Sequence, residues 1–244
     1  MTSIGTSQGT SLEERLRGRL VVSCQAPRGG PLDKPSFIAA LASSAVIGGA
    51  GAVRISGLAN IRAVRRAVDV PLIGLVKRPT DHSPVYITPT IDDAVRVADA
   101  GADLVALDAT DRTRPDGRSA QEAVAVLVAM GLVVVADVDD LESGVAAGDA
   151  GARFVATTLA GYTTRRVPAR PDVDLVAELA VRTGRPVIAE GRYRSLGQVR
   201  AAFRAGAHAV VIGNAITNPT AMTARFVAAT PGSARLVTPS EPDS

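Results

Sequence analysis

The stretch AGADLVALDAT, which begins at Ala100, carries the pattern that predicts the fold. It opens with small residues of the kind that end a helix, and an apolar run follows at once. Similar stretches begin at Gly48 (GGAGAVRISG), Ala150 (AGARFVATTLAG) and Ala205 (AGAHAVVIGNA), about fifty residues apart. The repeat predicts a chain built from recurring units in which a helix leads into a buried strand.

A second set of apolar runs lies between these repeats. VPLIGLV covers 70–76, LVVVADV covers 132–138 and RPVIAE covers 185–190, and RLVVSC (19–24) precedes them all. None of these runs alternates apolar with polar residues, which is typical of parallel strands buried on both faces. The eight predicted strands are 19–24, 52–56, 71–76, 104–108, 132–137, 154–158, 186–190 and 209–213.

The segments between most of the strands are predicted helices. TIDDAVRVADAGA (90–102) begins with an N-cap threonine, has acidic residues in its first turn and stops at a glycine. LGQVRAAFRAGA (196–207) leads in the same way into the last strand. Eight buried strands that alternate with helices predict an α/β fold, a (β/α)8 barrel in a single domain. A doubly wound open sheet is the alternative, but SCQAPRGGPL (23–32) lacks the dinucleotide fingerprint of that fold.

The barrel is predicted to occupy residues 18–230. Residues 1–17 are predicted to form a disordered N-terminal segment, and residues 231–244, rich in Pro, Ser and Thr, a flexible tail. Barrels of this kind commonly pair, so a homodimer is expected, although no residue identifies its interface.

The composition argues against several classes of partner. The formal net charge is +3 without a basic tract, and aromatic residues make up 3% of the chain. We therefore expect no binding of nucleic acid, which depends on basic patches and aromatic stacking. No stretch of 18 apolar residues predicts a membrane span, and the single cysteine, Cys24, allows no disulfide within the chain. A cytoplasmic protein is expected.

Polar residues at the strand ends indicate the site. Functional residues of such barrels lie at the carboxyl ends of the strands, and one interior layer is filled from alternate strands. Gln25, Lys77, Asp137 and Glu190 end odd-numbered strands and are therefore expected to converge at the barrel mouth. A lysine among carboxylates is typical of proton transfer, because close charges and desolvation shift their pKa values. The alternative interpretation is that any of these residues only forms a structural ion pair. This alternative has most weight for Asp137.

The loops after strands 7 and 8 predict an anion site. They read EGRYRS and IGNAITNP, and barrels frequently bind phosphate at these two loops. Gly191 and Gly213 would let backbone N–H groups approach an oxyanion, Asn214 would open a helix, and Arg192 would add charge. No cluster of His, Cys, Asp or Glu has metal-ligand spacing, so neither a metal nor another cofactor is expected.

The ordered motifs of the chain resemble one known family. They include VVSCQA, PLIGLVKR, LVALDATDRTRPDG, FVATTLAGYT, PVIAEGR and VVIGNAITNP. Together they cover residues 19–228 and closely resemble the N-acylglucosamine-6-phosphate 2-epimerases, also called N-acetylmannosamine-6-phosphate epimerases. The resemblance implies interconversion of N-acetylmannosamine 6-phosphate and N-acetylglucosamine 6-phosphate in the catabolism of amino sugars and sialic acid. Carbon 2 is inverted by proton transfer, without a redox cofactor.

The resemblance also implies residue roles. Lys77 and Glu190 correspond to the catalytic pair, with Lys77 as the base and Glu190 tuning it or orienting the substrate; the reverse assignment stays open. Asp137 is expected to hold Lys77 in place. The expected substrate-binding residues are Gln25, Arg54, Asp108 and Thr158. KRPTDHSP (77–84) and APRGGP (26–31) depart from the family's usual pattern, so the loops after strands 1 and 3 are expected to differ in their substrate contacts.

Two other functions remain open from the residues alone. A lysine in such a barrel also serves Schiff-base aldolases and lyases. A barrel that has lost its activity would instead bind a phosphosugar without turning it over. The polar residues at all the strand ends favour an enzyme.

Overall fold

The computed structural model describes residues 10–164 and 167–232. Residues 1–9 of the predicted disordered segment and residues 233–244 of the predicted tail therefore lie outside the described residues.

The strands form a closed, eight-stranded parallel barrel in which each strand pairs with its sequence neighbours. Strand β1 closes the barrel against β8, with Val21 opposite Val211. The strands are β1 Arg19–Cys24, β2 Ala52–Ser56, β3 Leu72–Leu75, β4 Leu104–Asp108, β5 Val134–Asp137, β6 Phe154–Ala156, β7 Val187–Glu190 and β8 Ala209–Ile212. The predicted (β/α)8 barrel is confirmed.

Helices follow the strands around the barrel. They are α1 Leu12–Leu16, α2 Pro35–Ile47, α3 Leu58–Arg65, α4 Ile91–Asp99, α5 Ala120–Ala129, α6 Leu141–Asp149, α7 Val173–Arg182, α8 Leu196–Arg204, α9 Asn214–Thr217 and α10 Pro219–Val227. Both helices predicted from their end signals are present as α4 and α8. Their N-cap side chains, Thr90 and Ser195, accept N–H bonds from Asp93 and Gln198. Each predicted range ran past its helix because it included the glycine turn that leads into the next strand.

Side chains of the strands alternate between two apolar cores. In β4, Leu104 and Ala106 pack inside the barrel. Val105 and Leu107 pack outward in the cluster that includes the helices. Since both faces of every strand are covered, both faces must be apolar, which is why the strands appear in the sequence as unbroken apolar runs.

The prediction of disorder over residues 1–17 was wrong for residues 12–16, which form α1. Ser11 and Glu14 make a reciprocal capping box at its start. Leu16 is fully buried in the barrel-interior cluster. The ring of His208, which precedes β8, lies 2.8 Å through Nε2 from the carbonyl oxygen of Glu13. The helix thus closes the amino end of the barrel.

The predicted strand 154–158 stops at Ala156, and Thr157–Leu159 form a 3-10 turn. The hydroxyl of Thr157 donates to the carbonyl of Glu190 (2.9 Å) and accepts its N–H (3.0 Å). The turn therefore stays tied to β7, and it carries Thr158 to the barrel mouth. None of the described helices has the length and apolar character needed to cross a membrane.

Candidate active site

A cavity of about 520 Å³ opens at the carboxyl ends of the strands. Most of the predicted site residues line it: Gln25, Arg54, Lys77, Thr158, Glu190, Gly191, Arg192, Gly213 and Asn214. Asp108 and Asp137 do not line it, and both are fully buried. Parallel strands bring all their carboxyl ends to one side, and this shared end gathers residues that lie far apart in the sequence.

A buried arginine joins two carboxylates at the floor of the cavity. Arg54 of β2 is only 2% exposed. Its Nη2 lies 2.6 Å from Oδ2 of Asp137, and its Nη1 lies 3.1 Å from Oδ1 of the same group. Nη1 also lies 3.2 Å from Oε2 of Glu190. The bidentate contact fixes the direction of the guanidinium plane, so Arg54 holds both acids in place.

Thr158 bridges the same two carboxylates. Its hydroxyl oxygen lies 2.7 Å from Oδ1 of Asp137 and 3.1 Å from Oε2 of Glu190. A hydroxyl has one proton, so it donates to only one of the two acids at a time. If it donates to Asp137, a protonated Glu190 can donate to it in turn.

The environment of Glu190 favours that protonated form. Desolvation raises its pKa, and the charge of Asp137 acts in the same direction. The positive charge of Arg54 and the Thr158 hydrogen bond act in the opposite direction. The net pKa is above the usual range of a glutamate, which suits a group that exchanges a proton near neutral pH.

Lys77 lies on the wall of the same cavity, two residues beyond the end of β3. Its Nζ donates to Oε1 of Gln25 at 2.7 Å, and Nε2 of Gln25 donates to the hydroxyl of Ser23 at 2.8 Å. The side chain has surface exposed to the open cavity. The surrounding walls nevertheless limit its hydration, and this desolvation, together with the charge of Arg54, lowers the pKa of Lys77. A neutral amine that can accept a proton is thereby favoured.

The prediction that Asp137 holds Lys77 in place was wrong. Asp137 forms its hydrogen bonds with Arg54 and Thr158, whereas Lys77 is held by Gln25. Asp137 therefore influences Lys77 only through its charge, which raises the lysine pKa. The sequence indicated that these residues meet but did not indicate which of them pair.

Asp108 takes a different place from the one expected of a substrate-binding residue. Its Oδ1 accepts the N–H and the hydroxyl of Thr110, at 3.1 and 2.8 Å. Its Oδ2 forms an ion pair with Arg112. The carboxylate is thus satisfied by the loop that follows β4, and the expected substrate contact of Asp108 stays a prediction.

Backbone geometry supports the predicted anion end. Gly191 has a φ of 110°, which favours glycine, and a Cβ on Gly213 would lie 3.4 Å from Cβ of Ser23. The N–H groups of Asn214 and Ala215 start α9, where no helical acceptor is available. Helix α9 has only four residues, so these backbone donors, which have no acceptor among the described residues, matter more than a helix dipole.

The two arginines of the loop after β7, Arg192 and Arg194, form hydrogen bonds with backbone carbonyls of the protein. Arg192 donates to the carbonyls of Arg170 (2.7 Å) and Ala160, and it lies over the ring of Tyr162. Arg194 donates to the carbonyl of Ala169 at 3.0 Å. Both side chains therefore hold Ala160, Ala169 and Arg170 against the loop. The predicted anion contact of Arg192 stays a prediction, with much of its guanidinium already occupied.

Sequence reasoning missed several residues of the cavity lining. They include Ser23, Tyr86, Tyr162, Tyr193, Met222 and Arg225. The side chain of Arg225 in α10 has no hydrogen bond or ion pair with any other described residue. The hydroxyl of Tyr193 is buried without a hydrogen-bond partner in the described part of the chain, and burial raises its pKa to about 12. Ser23 lies in β1, one residue before its end. No strand-end pattern marks the others, because the three tyrosines come from loops and Met222 and Arg225 come from α10.

Other reactive side chains have ordinary surroundings. Cys24 is buried, and desolvation raises the pKa of its thiol to about 12, so it stays protonated. Within residues 10–164 and 167–232, no group of three or more His, Cys, Asp or Glu is placed to hold a metal ion.

Sequence comparisons with known proteins identify one family. The sequence model described as "Putative N-acetylmannosamine-6-phosphate epimerase" matches residues 38–231. A Klebsiella pneumoniae protein named "Putative N-acetylmannosamine-6-phosphate 2-epimerase" is 47% identical over 208 residues, 84% of this chain and 88% of the relative. A Yersinia pseudotuberculosis protein of the same name is 44% identical over 208 residues, 85% and 88% of the two chains.

Solved structures agree. The N-acetylmannosamine-6-phosphate 2-epimerase from Clostridium perfringens superposes with a TM-score of 0.88 at 34% identity, covering 94% of this chain and all of the other. The thiamine phosphate pyrophosphorylase from Pyrococcus furiosus reaches a TM-score of 0.59 at 17% identity over 86% of this chain and 91% of its own. The second similarity reflects the shared fold alone.

Proposed function

The chain belongs to the N-acetylmannosamine-6-phosphate epimerase family, and we propose on this premise that its cavity interconverts N-acetylmannosamine 6-phosphate and N-acetylglucosamine 6-phosphate. The reaction inverts carbon 2, which in the opened sugar lies next to the C1 aldehyde. Its difficult step is removal of the C2 proton. That step needs a base at carbon 2 and a group that stabilises charge on the C1 oxygen.

One observation carries the proposal. In a single cavity, the pKa of Lys77 is lowered and the pKa of Glu190 is raised, each chiefly by desolvation. The two groups therefore both approach the range in which a proton is readily gained or lost. Pairs of groups whose pKa values are shifted by their surroundings are typical of acid–base catalysis.

We assign the steps as follows. The neutral amine of Lys77 takes the proton from carbon 2, and the C–H electron pair becomes a double bond between carbons 1 and 2. The carbonyl electron pair moves to the C1 oxygen, which receives the proton of Glu190. The resulting enol is planar at carbon 2. Rotation about the C2–C3 bond turns its opposite face to the Lys77 ammonium, which returns a proton to carbon 2 while Glu190 takes back the O1 proton. The other epimer forms, and Lys77 and Glu190 both return to their starting protonation states.

Arg54 and Asp137 act as the support of this pair. Arg54 contacts Glu190 at 3.2 Å and binds Asp137 with two hydrogen bonds. Its charge favours ionised Glu190 and neutral Lys77. Arg54 thus limits the pKa rise of the acid and assists the pKa drop of the base. Gln25 completes the support, because its hydrogen bond directs the Lys77 amine.

We assign the phosphate to the loops after β7 and β8, which line the same cavity. The backbone donors there are those of Gly191, Gly213 and the start of α9, as the sequence predicted. We add Arg225, because the other lining cations already have partners in the protein: Arg54, Lys77, Arg192 and Arg194. A guanidinium without a carboxylate partner suits a phosphate, which it can bind through two parallel N–H bonds.

Proton NMR in D₂O tests this function. The protein is mixed with N-acetylmannosamine 6-phosphate, and the epimer that forms is expected to carry deuterium at carbon 2. Unphosphorylated N-acetylmannosamine is the matched control and is expected to react far more slowly. A lysine adduct trapped by borohydride, with cleavage of the sugar, would point to a Schiff-base lyase. Binding of the phosphosugar without deuterium uptake would point to an inactive barrel.

Two further properties remain proposals. We propose a cytoplasmic location, supported by the lone, buried Cys24 and by a phosphorylated substrate. We also propose a homodimer, which light scattering coupled to size-exclusion chromatography would test directly.

A further inference from the structure

Thr88 is a fully buried threonine that lies beside the strand end carrying Lys77. Its N–H donates to the carbonyl of Val76 at 2.8 Å, and its hydroxyl oxygen accepts the N–H of Val76 at 3.3 Å. The same hydroxyl donates to the carbonyl of Ala106 in β4 at 2.6 Å. Thr88 thus binds both backbone polar groups of the residue that precedes Lys77 and ties them to the next strand.

The backbone at Thr88 is strained. Its φ is 44°, in the left-handed region that β-branched residues rarely adopt. Such a conformation costs free energy and persists only where the surroundings impose it. Glycine or asparagine would meet the backbone requirement with less strain. What threonine adds at this position is the hydroxyl, with its two hydrogen bonds to Val76 and Ala106.

A buried arginine holds Thr88 in this conformation. Arg114 is 2% exposed, and its Nη2 donates to the carbonyl of Thr88 at 3.0 Å. Its Nη1 donates to the carbonyl of Asp108 at 2.7 Å. Both acceptors are backbone groups, so Arg114 serves as a strut between the end of β4 and Thr88.

The segment between Lys77 and Thr88 closes on itself at this point. Lys77 and Ile87 form an antiparallel bridge, and the N–H of Arg78 donates to the carbonyl of Tyr86 at 2.8 Å. Lys77, Tyr86 and Ile87 all line the cavity. Thr88 is therefore the residue at which a hairpin leaving the barrel rejoins it, directly opposite the backbone that directs Lys77.

We propose that Thr88 is a positioning residue for the reaction, whose hydroxyl clamps Val76 to β4 and so aims the Lys77 amine into the cavity. The inference rests on the proposed function, because it assumes that Lys77 is the base. Loss of the hydroxyl would leave the fold in place but would let the backbone at Val76 shift. A misplacement of a catalytic group by about 1 Å can cost about a hundredfold in rate.

The test compares Thr88→Gly with Thr88→Ser. Glycine tolerates the backbone conformation without strain, so the protein is expected to fold while the clamp is lost. We expect the turnover number of Thr88→Gly to fall by about ten- to a hundredfold with little change in KM. Serine keeps the hydroxyl, and Thr88→Ser is expected to retain most of the native turnover.

Thr183→Ala is the matched control. The Thr183 hydroxyl donates to the carbonyl of Leu179 at 2.8 Å and accepts the N–H of Arg185 at 3.1 Å. It thus bridges backbone groups as Thr88 does, but it lies before β7, at the other end of the barrel. Thr183→Ala is expected to lower the melting temperature and leave turnover unchanged.

A second readout does not depend on activity. Lys34 and Lys77 are the only lysines of the sequence, so a protein labelled with carbon-13 lysine gives two side-chain signals. We expect the pKa of Lys77 to rise in Thr88→Gly, because a displaced amine is better hydrated, and to stay native in Thr88→Ser. Arg54, Glu190 and Asp137, the charged groups that act on Lys77, are unchanged in these variants. The Lys34 signal is the internal reference.

The outcomes separate the two ideas. If the native protein exchanged no C2 proton, the proposed function would fail, while the lysine titration would still show whether Thr88 positions Lys77. If Thr88→Gly lost only thermal stability, with native turnover and a native Lys77 titration, Thr88 would be a structural residue and the inference would be overturned. Failure of serine to restore turnover would overturn it as well.

Discussion

The two ends of the barrel differ in how well their polar groups are satisfied. At the amino end, α1 closes the interior with Leu16, and His208 contacts the backbone of Glu13. At the carboxyl end, Thr88 and Arg192 are the non-glycine residues with positive φ in the described part of the chain. In the described part of the chain, buried side-chain atoms without partners belong to Arg54 in the middle of β2 and to Arg114 and Tyr193 in loops at this end.

The difference shows where this fold tolerates strain. Unsatisfied groups and rare backbone conformations cost free energy, and they persist where function requires them. The amino end has no such requirement, so its residues can serve stability alone. In a barrel, changes at the carboxyl end should therefore affect catalysis, and changes at the amino end should affect stability.

The largest expected effect is at the carboxyl end. Lys77→Ala and Glu190→Ala should each lower turnover by at least about a hundredfold, the lower range for a positioned acid or base. The melting temperature should change little in either. Because the two groups act as a unit, the double variant should be little worse than either single one. Turnover and melting are measured on all three proteins. A folded Glu190→Ala with native turnover would make Glu190 a structural ion-pair partner of Arg54.

The next effect is at the amino end. Leu16→Ala should lower the free energy of unfolding by about 2–5 kcal/mol, since it opens a cavity in the barrel interior. Turnover per folded molecule should stay native. Denaturant unfolding gives the first quantity and steady-state kinetics the second. Ile47→Ala is the control, because Ile47 is 88% exposed and its truncation should leave stability nearly unchanged.

Arg225 should show a smaller effect, on binding only. Arg225→Met should raise KM for the phosphorylated sugar by about tenfold, through loss of one charge-assisted contact of about 1.4 kcal/mol. Its turnover number and melting temperature should stay native, because the side chain is exposed and has no described partner. Arg200→Met, which removes an exposed arginine from α8, is the control. Equal KM values for the two variants would exclude Arg225 from the phosphate site.

The smallest effect concerns stability against pH. The pKa of Lys77 is lowered in the folded protein, so the unfolded chain binds more protons between that value and the ordinary lysine value. Native stability should therefore rise with pH across this window. Lys77→Met has no charge to desolvate and should be slightly more stable than the native protein at neutral pH. Thermal melts from neutral to alkaline pH should show this advantage shrinking, and a constant difference would contradict it.

Most of the fold could be predicted because strands buried on both faces leave unbroken apolar runs. The helix α1 was missed although its capping box, Ser11 to Glu14, is visible in the sequence. A helix of five residues is too short to show an apolar period, and isolated helices of that length are unstable. What stabilises α1 is the burial of Leu16 inside the barrel, a contact with strands from the whole chain.

Asp108 and Asp137 show how far the site could be predicted from the sequence. Both end a strand, both are fully buried, and they lie opposite each other in the pairing of β4 with β5. From the sequence they are equivalent strand-end acids. In the folded protein Asp137 faces Arg54 and Thr158, whereas Asp108 is taken up by Thr110 and Arg112 of its own loop. Only the position of their neighbours separates the two roles.

The sequence by itself thus determined that the strands form a parallel barrel and which residues lie at their carboxyl ends. It could do so because the order of the strands and their apolar runs can be read directly along the chain. The tertiary structure alone decided the partners: Gln25 for Lys77, Arg54 for Asp137, and the clamp of Thr88 on Val76. Hydrogen bonds and desolvation depend on distances of a few ångström between residues far apart in the chain. Those distances are set by the packing of the closed barrel and cannot be derived from the apolar periodicity of the sequence.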